Sequence, residues 1–289
     1  MTDFLKVHQD NFNINQFILN VIREDVGDGD HTSMACIPLK SRGRMHLLVK
    51  ENGLIAGVEA AGLIFKKIDP TCKLSIQIKD GTKVKKGDII FIVEGNTQKL
   101  LTAERLVLNI MQRMSGIATK TNAIQSLCLG TKAKVLDTRK TTPGFRFFEK
   151  WAVYIGGGAN HRYGLYDMIL IKDNHIDFAG GIINAIDSAN VYLKKKKKKL
   201  SIEIETRNLK DVKVVVNKGG VQRIMLDNFS PSDTAEAVKL IKGKFKVESS
   251  GGITEKNIRK YADCGVDFIS IGALTHHVKS LDLSLKALQ

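Results

Sequence analysis

No apolar run in the 289-residue chain approaches the roughly 20 residues that span a bilayer, which excludes a helical membrane protein. Residues 1–10 are polar and lack the apolar centre of a secretion signal. Cysteine is sparse: Cys36, Cys72, Cys128 and Cys264 are scattered, with no C-x-x-C pair. That argues against a disulfide or zinc framework and for reduced thiols in a cytoplasmic protein. Aromatic residues do not interleave with the lysines at 194–199, so the stacking platform of a single-strand nucleic-acid binder is missing. This absence matters because the formal net charge is +15. Six of the positive charges form that one run, between a helical pattern (181–193) and a strand (201–205), and it reads as a solvated loop. Neither nucleic acid nor a membrane is therefore expected as partner. Hydrophobic content of 43% places the chain among soluble globular proteins, with length for one large α/β domain or two smaller ones.

The chain changes character near residue 100. Between residues 43 and 95 short apolar runs (45–49, 54–56, 74–78, 89–93) alternate with glycine and charge. Period-two alternation in Leu74-Ser75-Ile76-Gln77-Ile78 indicates half-buried strands, and 59–67 reads as a helix. A long helical pattern follows at 101–129, with Thr102 placed as its N-cap and Ser115-Gly116 expected to bend it. From residue 132 six strand-like runs (133–136, 168–171, 201–204, 223–226, 245–247, 267–271) are separated mostly by helical patterns (182–192, 209–218, 231–241, 255–264). Ser230 before Pro231 is a helix start; Thr254 is read as the cap of the last helix and Gly265 as its end. Strands alternating with helices mean βαβ units and a parallel sheet.

Most of these runs end in residues able to do chemistry: Asp137 and Arg139, Lys172, Glu205, Asp227, Glu248 and Ser250, then Ser270 and Gly272. Active sites of β/α barrels lie at the C-terminal strand ends, so a barrel fits better than a doubly wound sheet. With six clear strands instead of eight, the barrel is expected to be open or incomplete. Arg139, Lys140, Arg146, His161 and Arg162 crowd one region, and such a cluster is costly unless an anion neutralises it. Arg139, Arg162 and Lys172 suit carboxylate or phosphate recognition. The glycine-containing loops after the last two strands (Ser250-Gly251-Gly252, Ser270-Ile271-Gly272) suit a phosphate. Glu205 and Asp227 could hold a divalent metal, bind sugar hydroxyls and stabilise a cationic transition state, or simply pair with Lys140 and Lys172.

The motifs E-D-x-G-x-G-D-x-T (24–32), T-A-E-R (102–105), D-T-R-K-T-T-P-G (137–144), G-G-G-x-N-H-R (156–162), L-I-K-D-N-H (170–175), I-E-I-E (202–205), L-D-N (226–228) and S-G-G-I (250–253) run in order along the chain. Together they resemble the nicotinate-nucleotide pyrophosphorylase, or quinolinate phosphoribosyltransferase, family. The resemblance implies an N-terminal α/β sandwich domain (1–115) and an open, incomplete TIM-like α/β barrel (116–275), with 276–289 able to pack back on the first. It implies quinolinate and phosphoribosyl pyrophosphate as substrates, and nicotinate mononucleotide, pyrophosphate and CO2 as products, with Mg²⁺. It assigns Arg105, Thr138, Arg139, His161, Arg162 and Lys172 to substrate, chiefly the quinolinate carboxylates. Lys140, Glu205 and Asp227 go to ribose, metal and pyrophosphate, with Glu205 and Asp227 as metal ligands. Lys140, Lys172, Glu205 and Asp227 form the catalytic set. Ser250, Gly251, Gly252, Ser270 and Gly272 would hold the 5′-phosphate. It further implies a homodimer, or an assembly of dimers, in which Arg105 enters the partner's site. The lysines at 194–199 are a departure the family does not need.

Overall fold

The computed structural model describes Phe4 and residues 12–288; the polar stretch 1–10, Phe4 apart, lies outside the described residues. Among the described residues twelve strands are present: β1 (Arg42–Val49), β2 (Gly53–Leu54), β3 (Lys73–Ile76), β4 (Lys83–Val84), β5 (Ile89–Asn96), β6 (Lys134–Leu136), β7 (Ile169–Ile171), β8 (Ile202–Thr206), β9 (Arg223–Asp227), β10 (Lys246–Ser250), β11 (Phe268–Ser270) and β12 (Leu283–Leu288). The chain divides into two compact units. One takes in Met1–Asn122, Thr142–Gly157 and His277–Gln289; the other takes in Ala123–Thr141 and Gly158–His276.

The first unit is built on an antiparallel sheet in the order β12-β1-β5-β3, with β2 and β4 paired separately. Met45, Leu47 and Val49 alternate on β1 and are buried, the period-two pattern of a sheet with one face on a core. The helix Val58–Ile68 contributes Ala60, Ala61, Ile64 and Phe65 to that core. The helix Thr97–Ser126 starts five residues before Thr102, whose hydroxyl instead donates to the Gln98 carbonyl at 2.9 Å inside the helix. Ser115-Gly116 does not interrupt it. The Ser115 hydroxyl bonds the backbone of Ala56, and a Cβ on Gly116 would sit 3.1 Å from the Lys279 carbonyl carbon. The pair therefore marks close backbone approach to the helix, not a kink. The helix Arg146–Ile155 was not legible in the sequence. It buries Phe147, Phe148, Trp151, Ala152 and Val153, and Phe4 and Phe12 stack on Trp151 and Phe147.

The second unit carries a parallel six-stranded sheet in the order β6-β11-β10-β9-β8-β7. β6 and β7 are its two edges and do not pair with each other, so the barrel is open. β8 is buried along its whole length, as expected where helices cover a parallel sheet. Asn208 caps the helix Leu209–Lys218, and Ser230 with Pro231 starts the helix Pro231–Ile241. The final barrel helix is shorter than the sequence pattern. It spans Ile258–Asp263, and Asn257 accepts the Thr254 N–H, so Thr254 is not its cap; Gly265 follows its end at φ +83°. The lysine run is not all loop either. The helix Ile182–Lys196 absorbs the first three lysines, and Lys197 ends it in the left-handed region. Lysine forms helices well, and its charge is favoured against the carbonyl end of the helix dipole. Among the described residues no helix is long and apolar enough to cross a membrane.

Candidate active site

The parallel sheet aims its C-terminal strand ends into one cavity of about 820 Å³. Thr138, Arg139 and Lys140 follow β6 and Lys172 follows β7; Glu205, Asp227, Ser250 and Ser270 lie at the ends of β8 to β11. These residues, with His161, Arg162, Gly251, Gly252 and Gly272, all line that cavity. Every site residue that the family resemblance assigns is thus brought together except Arg105; of the other groups singled out in the sequence, Arg146 and Glu248 are also not among the lining residues. The Arg105 side chain is exposed on the helix Thr97–Ser126 and is not among the lining residues.

Lys172 Nζ lies 2.9 Å from Glu205 Oε1, so the structural pairing weighed for that acid is present. Asp227 is half-buried, and burial, followed by the neighbouring Glu205 carboxylate, pushes its carboxyl above the usual range. A cation between the two acids would relieve that repulsion. Arg162 is pulled down, first by burial and then by Arg139 beside it. Two guanidiniums this close store repulsion that a dianionic ligand would remove.

The cavity floor is a buried ionic cluster. Alternation on β8 puts Glu203 on the same face as Glu205, one layer deeper; on β10 Glu248 lies likewise beneath Ser250. Burial raises Glu203 to about 7 and Glu248 to about 7; the Glu203 charge raises Glu248 further, whereas Arg223 and a hydrogen bond with Glu248 ease Glu203. Arg223 Nη1 is 2.7 Å from Glu248 Oε2 and 3.7 Å from Glu203 Oε2, with its guanidinium over the Phe268 ring. His161 Nε2 lies 3.0 Å from Glu203 Oε2, an ion-pair distance whose direction falls short of a linear hydrogen bond. The Ser270 hydroxyl donates to Glu248 Oε1. His161 itself is pinned: its N–H donates to Asp137 Oδ1 at 2.9 Å, and its Nδ1 accepts the Arg162 N–H at 2.8 Å.

Residues 117–286 match the family described as quinolinate phosphoribosyl transferase, C-terminal domain, and residues 30–115 match its N-terminal domain. The chain belongs to the quinolinate phosphoribosyltransferase family. A relative from Arabidopsis thaliana, named nicotinate-nucleotide pyrophosphorylase [carboxylating], chloroplastic, is 46% identical over 95% of this chain and 83% of its own length. A Bacillus subtilis relative, named probable nicotinate-nucleotide pyrophosphorylase [carboxylating], is 39% identical over 94% of this chain and 91% of its own. The crystal structure of NadC from Streptococcus pyogenes superposes with a TM-score of 0.90 at 37% identity, covering 96% of this chain and 97% of that one.

Several residues around this family's cavity escaped the sequence reading. His276 lines it, and a Cβ on Gly272 would sit 2.8 Å from its Nε2 and 3.1 Å from Lys140 Cδ. Asn228 holds Asp227 Oδ2 at 2.9 Å and donates its N–H to the Ser250 carbonyl at 2.8 Å, from a backbone at φ +56°. The L-D-N motif was its signal. Glu203 and Arg223 were also missed, though an acid two residues before Glu205 on an otherwise apolar strand was visible as a second inward-facing group.

Proposed function

We propose that the chain transfers the phosphoribosyl group of phosphoribosyl pyrophosphate to quinolinate, with loss of CO2, and so makes nicotinate mononucleotide for NAD biosynthesis. It is a nicotinate-nucleotide diphosphorylase (carboxylating). The observation that carries this is the meeting of Arg139, Lys140, Arg162 and Lys172 with Glu205 and Asp227 at one cavity. Arg139 and Arg162 receive the carboxylates of the pyridine diacid as paired forks, and Lys172 adds a point charge. The backbone around Gly251, Gly252 and Gly272 takes the 5′-phosphate. The ring nitrogen of quinolinate attacks C1′ as the C1′–O bond to pyrophosphate breaks. Positive charge grows on the ribose in that step, and Glu205 and Asp227 stabilise it. The C2 carboxylate then leaves as CO2. Its bonding pair passes into the cationic ring and a proton replaces it, so no protein nucleophile is needed.

Two carboxylates side by side, one with its charge opposed by the other, fit a hard divalent cation that keeps most of its water. Glu205 and Asp227 would hold Mg²⁺, whose charge would offset that of the leaving pyrophosphate. We place the enzyme in the cytoplasm, in keeping with four unpaired thiols. We also assign it a homodimer or an assembly of dimers, in which Arg105, exposed on its own chain, completes the partner's site. Quinolinate and phosphoribosyl pyrophosphate, with and without Mg²⁺, should yield nicotinate mononucleotide and CO2 in the metal-containing reaction. Product from nicotinate but none from quinolinate would replace this reading with a non-decarboxylating transferase. Mixing Arg105→Ala with Arg139→Ala should restore activity in mixed dimers; no complementation would reject the shared site.

A further inference from the structure

Lys140 follows β6, an edge strand whose strand partner is β11, and the ladder between the two ends at Leu136. Beyond that point two hydroxyls hold the Lys140 main chain. Its N–H donates to Thr138 Oγ1 at 3.0 Å, and its carbonyl accepts the Thr275 hydroxyl at 2.8 Å. Thr275 lies past β11 in the short helix Ala273–His276 and is wholly buried. A helical threonine ordinarily turns its hydroxyl to the carbonyl one turn back. Here that contact, to the Gly272 carbonyl, is the longer one at 3.2 Å, and the shorter bond reaches a residue 135 positions away. The same turn confines the Lys140 side chain. Gly272 stays outside the left-handed region, so its backbone does not call for glycine. Space does: an added Cβ would stand 3.1 Å from Lys140 Cδ and 2.8 Å from His276 Nε2. Lys140, Gly272 and His276 line the cavity, whereas Thr275 does not.

We infer that Thr275 is a positioning residue for Lys140: its buried hydroxyl fixes the main chain at the root of the lysine, and the missing side chain of Gly272 leaves the slot along which the lysine stem reaches the cavity. A lysine ammonium is a point charge on a flexible four-carbon stem, so its place is only as well defined as its root and its walls. An edge strand that ends at Leu136 supplies neither. With the carbonyl held and the stem walled, the ammonium is ordered during folding and not at the expense of binding. Removing the hydroxyl would leave the Lys140 carbonyl without that donor and free the peptide to turn. Gly272 thereby has a steric task beside the phosphate contact read for its backbone.

This inference rests on the transferase reading, so wild-type turnover of quinolinate is measured first. Its absence would fail that reading, and a crystal structure of Thr275→Val would still decide the positioning role. That structure should show the Lys140 ammonium displaced by on the order of 1 Å or more. Since the reading gives Lys140 to ribose and pyrophosphate, the kinetic loss should fall on one substrate. Thr275→Val keeps the side-chain shape and removes the donor. It should lower kcat/KM for phosphoribosyl pyrophosphate about tenfold and leave KM for quinolinate within about twofold. Thr275→Ser, which keeps the hydroxyl, should come within about threefold of wild type. In a Lys140→Ala background, Thr275→Val should cost less than about twofold more. An unmoved lysine, a serine variant as poor as the valine one, equal losses for both substrates, or full additivity with Lys140→Ala would overturn the proposal. Should Thr275→Val not fold, Gly272→Ala takes its place, because the atoms it crowds belong to side chains that can swing aside. It should lower kcat/KM for phosphoribosyl pyrophosphate about tenfold alone, but less than about threefold in Lys140→Ala. An equal loss in both backgrounds would refute the slot.

Discussion

Gly251→Ala offers a demanding test of how the phosphate loop is built. Gly251 follows β10 with φ +88°, where an L-residue is strained by roughly 1–2 kcal/mol. A Cβ there would also meet Asn228, 2.9 Å from its backbone nitrogen and far inside contact distance of its side-chain amide. Asn228 cannot yield freely, because its N–H bonds the Ser250 carbonyl and its amide holds Asp227. Relief therefore means moving the Asp227 end of β9 by something on the order of 1 Å, a displacement that costs about a hundredfold in rate at a reacting centre. The expected result is a kcat/KM about a hundredfold below wild type, with a stability loss of about 2–4 kcal/mol. Gly243→Ala separates the two contributions: its φ is +72° but nothing lies within 4 Å of the added methyl. That variant should lose about 1 kcal/mol in denaturant unfolding and keep normal turnover. A Gly251→Ala enzyme within about threefold of wild type in steady-state assays would refute the argument that Asn228 transmits the clash.

Lys172→Ala and Arg139→Ala should each reduce kcat/KM by about a hundredfold or more with an unchanged circular dichroism spectrum; near-normal turnover in either would count against the cavity as the reaction site. Glu149 is fully buried and accepts from Arg113, the Thr142 N–H and the Thr142 hydroxyl, so Glu149→Ala should cost about 3–5 kcal/mol in urea unfolding. The raised carboxyls of Glu203 and Glu248 make the folded chain the tighter proton binder. The stability they contribute is full below the ordinary value of 4.5 and is lost as pH rises through about 7. Tm should therefore fall between about pH 5 and about pH 8, and less steeply in Glu248→Gln; a parallel slope would remove Glu248 as the cause.

The parallel sheet was legible because each strand combines an apolar run with a polar terminus, and β9 and its neighbours begin within a residue or two of where the sequence puts them. The helix Arg146–Ile155 was not, because Glu149 and Lys150 break its apolar stripe while being buried themselves. Thr102 and Ser115-Gly116 misled for one reason: local rules assign hydroxyls and glycine to helix ends and bends. Here a hydroxyl back-bonds within the helix, and Ser115-Gly116 meets backbone from distant sequence. The lining residues were legible from motifs at strand ends. The floor beneath them was not, since charge buried one layer down looks in sequence like charge at the surface.

The strand β12 lies at one edge of the first unit's sheet, against β1, with more than two hundred residues of chain between them. During synthesis β1 leaves the ribosome early and keeps one flank bare until Leu283–Leu288 arrives. A nascent chain halted before that point would display a row of unsatisfied amides and carbonyls beside Met45, Leu47 and Val49, an inviting template for another stalled copy. The last strand thus covers the flank of β1 only once the whole chain has been made, and its loss would return that edge to β1.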